Sequence, residues 1–96
     1  MDYKLAKQLK DAGFPQDNPE SEYVEDKKDG KVVLPTLSEL IDACGEDFGS
    51  LINLGNQWLA ESNYVEKPNG VGSAVEKTPE KSVAKLWLKL IKKENI

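Results

Sequence analysis

The stretch Thr78-Pro79-Glu80-Lys81-Ser82-Val83-Ala84-Lys85-Leu86-Trp87-Leu88-Lys89-Leu90-Ile91 constrains the fold more than any other part of the chain. Thr78 is an N-capping residue, and Pro79 stands at the first helical position, where its missing N–H costs nothing. Val83, Leu86, Trp87, Leu90 and Ile91 recur at helical spacing, which predicts a helix from Pro79 to about Glu94 with one buried face. Ninety-six residues suffice for one hydrophobic core and not for two, so residues 1–96 are expected to form a single domain. The rest of the chain must therefore supply what covers that apolar face.

Two further helices are readable. Asp2 can cap a helix running to Ala12, with Leu5, Ala6, Leu9 and Ala12 on one side. Gly13 falls where a helix ends in the left-handed conformation, Phe14 can fold back on Leu9, and Pro15 forbids continuation. Thr36-Leu37-Ser38-Glu39 fits a capping box, and Leu37, Leu40, Ile41 and Cys44 follow on one narrow face until Gly45 ends the helix.

Between these helices the apolar period shortens towards two. Residues 16–22 have turn composition and are read as loop. Tyr23-Val24 and Val32-Val33-Leu34 flank Asp29-Gly30 as a hairpin. Residues 50–54 and 57–64 flank Gly55-Asn56 as a second hairpin, with Trp58 and Ala60 on one side of the pleat. Lys67-Pro68-Asn69-Gly70 reads as a turn, and Val71 to Glu76 as a third arm. Helices alternating with antiparallel hairpins indicate an α+β domain, with three helices packed mainly on one face of a small sheet. Trp58 and Trp87 are expected to anchor the core where hairpin meets helix.

Composition narrows the chemistry. The chain has no histidine, and all thirteen of its basic residues are lysine. The usual general base near neutral pH and the commonest zinc ligand are thus missing, as is bidentate recognition of phosphate, carboxylate or a guanine edge by arginine. The one cysteine, Cys44, cannot form an internal disulfide. It stands at a helix C-terminus beside Asp42, Glu46 and Asp47, where the helix dipole and neighbouring charge both oppose a thiolate. It reads as a small core residue.

Gly70-Val71-Gly72-Ser73 before Lys77-Thr78 fails as a phosphate loop, because Glu76 stands where a glycine must precede the lysine. The acidic stretch 17–29 fails as a calcium loop, with Lys28 at a ligand position and no closing glutamate. Seventeen acids make chance carboxylate pairs unavoidable, and no pair stands out for a hydrolase. No catalytic residue, metal ligand or cofactor is therefore expected.

Charge is distributed unevenly. Residues 1–10 carry a net +2, residues 11–66 a net −10, and residues 67–96 a net +4. On the last helix Lys81, Lys85, Lys89 and Lys92 lie opposite the apolar stripe, and they form the candidate contact surface. A basic ridge would suit nucleic acid or an acidic partner. The solvated face of an amphipathic helix would have the same pattern. The acidic middle also permits the converse, a surface imitating nucleic acid for a partner's basic groove. No apolar run is long enough to span a membrane, and the first seven residues lack the apolar run of a secretory signal, so a cytoplasmic setting is expected.

Three stretches, residues 6–16 (AKQLKDAGFPQ), 35–45 (PTLSELIDACG) and 78–90 (TPEKSVAKLWLKL), resemble a family of short uncharacterised proteins from bacteriophage and prophage genomes. The resemblance covers the three helical segments and departs from the family pattern in the hairpin region. It implies a phage-type protein acting in a bacterial cytoplasm, and brings no activity, cofactor or catalytic residue. Together these readings lead to a non-enzymatic accessory protein that contacts another macromolecule, with a protein as the expected partner and nucleic acid as the alternative.

Overall fold

A computed structural model describes residues 2–63 and 72–94, the last three by backbone alone. The order of elements is α1 (Tyr3–Asp11), β1 (Tyr23–Asp26), β2 (Gly30–Val33), α2 (Leu37–Cys44), a 3₁₀ turn (Gly45–Asp47), β3 (Phe48–Asn53), β4 (Trp58–Ser62), β5 (Ser73–Glu76) and α3 (Pro79–Glu94). The fold is α+β. Its strands form two antiparallel sheets, β1-β2 and β3-β4-β5, where one sheet was expected from the sequence. The predicted turn at residues 67–70 and the start of the third arm at Val71 lie outside the described residues.

Helix ends form where the residues ask for them. Asp2 accepts from the Lys4 amide at 2.9 Å. At the other end of α1, Phe14 N–H donates to the Leu9 carbonyl and Gly13 N–H to that of Lys10, with Gly13 at φ +99°, a Schellman ending. On α2 the capping box closes in both directions between Thr36 and Glu39. Glu39 also accepts from the buried Ser21 hydroxyl, and that bond, followed by those from Thr36, holds its carboxyl below the usual range. The expected loop 16–22 is therefore tied down. Gln16 donates to the Phe14 carbonyl and accepts from the Val33 amide, both at 2.9 Å.

The core lies between α3, α2, α1 and the inner face of β3-β4-β5. Leu40, Val83, Ala84 and Leu86 are fully enclosed, and Phe14 meets Trp87 edge-on, with ring centroids 5.2 Å apart. Ser82 is also fully enclosed on α3, its hydroxyl satisfied by the Pro79 carbonyl at 2.9 Å. Trp58, expected as a second anchor, is only half-buried and stands outside the core cluster. It belongs to the last cross-strand row, Asn53–Trp58–Glu76, at the end of the sheet.

β3 begins two residues earlier than its alternation suggests, because a bulge separates Phe48 from Ser50. A strand's side chains alternate faces, so an unbroken run would put Phe48 on the side of Ile52. The extra residue, Gly49, resets the phase, and Phe48 packs against the core. A Cβ at Gly49 would lie 2.9 Å from the Glu61 carbonyl oxygen and 3.0 Å from the carbonyl carbon and oxygen of Ser62. These are backbone atoms that cannot swing aside.

The β1-β2 hairpin is joined to α1 by polar contacts. Tyr3 Oη donates to Asp26, Lys7 pairs with Asp29 at 3.3 Å, and Lys10 Nζ donates to the carbonyls of Asp29 and Lys31, the latter at 2.7 Å. The Tyr3 bond is the main cause that lowers the Asp26 pKa, and the same bond is the main cause that raises the Tyr3 phenol to about 12.

Gly49→Ala should cost about 1–3 kcal/mol through overpacking, read as a lower urea midpoint with an unchanged slope. The Tyr3–Asp26 bond should also set a pH window. Asp26, with its pKa lowered on folding, contributes above the ordinary carboxylate range, and that contribution is lost as pH falls through its folded value. Tyr3, with its pKa raised, contributes below 10.0 and loses that contribution as pH climbs towards about 12. Tyr3→Phe should therefore melt below the parent at neutral pH, with the gap closing at both extremes in a circular-dichroism Tm series.

Candidate functional site

Three of the four candidate lysines share one side of α3, and the side chain of the fourth, Lys92, lies outside the described residues. Lys81 and Lys85 are half-buried and Lys89 is exposed. They do not stand apart from the rest of the molecule as a free ridge. Lys85 and Lys89 line a groove of about 540 Å³ together with Gln8, Asp11, Ala12 and Leu88. Lys81 and Lys85 line a neighbouring depression with Asp2, Lys4 and Glu76. Asp2, Asp11 and Glu76 thus share these grooves with the lysines, which weakens the attraction the strip can exert on a polyanion. Lys89 has a further engagement, since its ammonium donates to the Ser73 carbonyl on β5 at 2.6 Å.

A second surface was not anticipated from the sequence. The register of the three-stranded sheet places Leu51, Ala60 and Ala74 in one cross-strand row and Ile52, Leu59 and Val75 in the next. The first row faces the core, with Ala60 and Ala74 buried. The second row therefore faces outward. Ile52 is 40 % exposed, Val75 44 % and Leu54, just beyond β3, 50 %. The neighbouring outward row is Ser50–Glu61–Ser73, where the Ser50 hydroxyl donates to Glu61 at 3.3 Å. The molecule thus presents an apolar band across all three strands, bordered by one carboxylate.

One sequence signal for this band existed. Leu51 and Ile52 are adjacent in a strand, and adjacent strand residues cannot both face one core. Which of the two would turn outward depends on the bulge at Gly49, and that follows from pairing with β4.

Cys44 is buried on the Leu40 face of α2. Burial foremost, and then the charge of Asp47, push its thiol up to about 11. Among the described residues no group of three or more histidine, cysteine, aspartate or glutamate side chains is placed to hold a metal ion, and no helix is long and apolar enough to cross a membrane.

The native protein should resist iodoacetamide at neutral pH and become alkylated at Cys44 only in denaturant, a difference read by intact mass. No family model, no curated protein and no solved structure matches this chain.

Proposed function

We propose that this chain is a non-enzymatic accessory protein that works by contacting another protein, through the outer face of β3-β4-β5. The observation that carries the reading is the apolar row Ile52–Leu59–Val75, continued by Leu54. Isolated exposed aliphatic residues are ordinary on any protein surface. A contiguous row spanning every strand of a sheet, with a polar row beside it, has the composition of a binding patch with its rim. The phage-type setting in a bacterial cytoplasm is supported by the resemblance in the three helical stretches. Nucleic-acid binding through Lys81, Lys85, Lys89 and Lys92 is the competing reading, and the acids that line the same grooves count against it.

The test uses purified protein and variants in which each surface is altered alone. Ile52→Asp with Val75→Asp should abolish capture of a defined partner from bacterial lysate and leave the circular-dichroism spectrum unchanged. Lys85→Glu with Lys89→Glu should leave capture intact. The reading is overturned if the lysine pair, and not the sheet pair, removes binding, or if duplex DNA or RNA binds at low salt with an affinity that falls steeply as salt is added. Sedimentation of the purified protein tests whether the partner is a second copy of the chain.

A further inference from the structure

Two sheets of two and three strands have four outer edges, and three of them carry at least one identifiable device. On β2 the outward carbonyl of Lys31 accepts from Lys10 Nζ, and the outward amide of Val33 donates to Gln16 Oε1. On β5 the Ser73 carbonyl accepts from Lys89 Nζ. β3 is interrupted by its bulge at Gly49. Side-chain caps, lysines and bulges are the means by which proteins keep sheet edges from pairing with other chains.

Among the described residues β1 has no side-chain cap, lysine or bulge of this kind. Its pairing with β2 runs in unbroken register from Tyr23↔Val33 to Asp26↔Gly30. The Leu34 amide donates to the Glu22 carbonyl at 2.8 Å, which makes Glu22↔Leu34 a hydrogen-bonded pair. Alternation along an antiparallel ladder then turns the amides and carbonyls of Tyr23 and Glu25 away from β2. The capped positions on the opposite edge, Lys31 and Val33, obey the same alternation. Among the described residues the outward backbone groups of Tyr23 and Glu25 have no partner. The side chains beside them are open too, with Tyr23 50 % and Val24 37 % exposed.

The segment that carries this edge is rich in carboxylates. Residues 17–26 hold Asp17, Glu20, Glu22, Glu25 and Asp26 and no lysine. Cations close to it are Lys27 and Lys28, in the turn beyond the strand, Lys7, whose charge acts on Asp26, and Lys31 on β2, which pairs across the strands with Glu25 and holds its ammonium 4.9 Å from the centre of the Tyr23 ring.

We propose that the open edge of β1 is a docking rail for an extended, lysine- or arginine-bearing segment of a partner protein, which adds to the hairpin as a third strand. Its backbone would pair with the outward groups of Tyr23 and Glu25. Its cations would meet Glu22 or Glu25, depending on which face they occupy, and its alternate apolar side chains would lie beside Val24 or Tyr23. The inference shares with the preceding section the view that the chain binds proteins, but it rests on different residues.

The probe is a synthetic peptide of about six residues, the usual length of a strand, with lysine and valine alternating, titrated into the ¹⁵N-labelled full chain. Slowed exchange and shifted resonances are expected at the Tyr23 and Glu25 amides. Affinity should fall about tenfold or more with Glu22→Lys and Glu25→Lys combined, and also with added salt. Methylating the peptide amides along the edge that meets β1 should abolish binding, whereas methylating the opposite edge should preserve it. Because that control alters the ligand, it does not depend on how the protein variants fold. Ile52→Asp with Val75→Asp should leave peptide affinity unchanged, so failure here and failure of the sheet-face reading are separately visible. The proposal is overturned if β1 resonances stay still at millimolar peptide, if a glutamate–valine peptide binds equally well, or if both methylated forms bind alike.

Discussion

One helix must hide more than half of its circumference, and the other elements are arranged to let it. Residues 82, 83, 84, 86, 87 and 90 of α3 are all buried, an arc wider than the stripe of a surface helix. Such an arc cannot be covered by a single neighbour. It is shared by α2, by the inner face of β4 and β5, and by α1. Ser82 and Ala84 are fully enclosed because their small side chains allow close approach, while Trp87 fills the wider space beside Phe14. On the remaining side of α3, Lys81, Lys85 and Lys89 stand together with the half-buried Leu88.

That geometry changes what those lysines do. An ammonium on a four-carbon stem is a compact group with three donors and can satisfy lone carbonyl oxygens. Lys89 reaches across to the exposed edge of β5 in this manner, and Lys10 reaches from α1 to two carbonyls at the edge of β2. In a chain without arginine, lysine therefore serves as an edge cap as well as a solubilising charge. On β1 carboxylates stand in place of lysines, and among the described residues the outward backbone groups of Tyr23 and Glu25 have no partner.

Much of the architecture was legible in local chemistry. The Asp2 cap, the Gly13-Phe14-Pro15 stop, the Thr36/Glu39 box and the Thr78-Pro79 start were all readable, because each depends on residues within one turn of one another. Cys44 was recognisable as core for the same reason. Trp58 was misjudged, since its burial depends on where along the sheet its row falls, and the length of the sheet is set by pairing between strands. The lysine strip was visible as a pattern, but two of the acids that share its grooves, Asp2 and Asp11, come from the first helix and its cap, far away in sequence.

The sequence by itself determined the three helices, their caps and the absence of histidine and arginine, because helix caps, turn glycines and side-chain inventory are local or compositional properties. Tertiary structure alone decided that the strands divide into two sheets, that Ile52, Leu59 and Val75 line up on an outer face, and that β1 is left without a side-chain cap among the described residues. The reason is physical. A strand's side chains take their facing from a register agreed with its neighbour, and a backbone group is open or closed according to what approaches it from elsewhere in the chain.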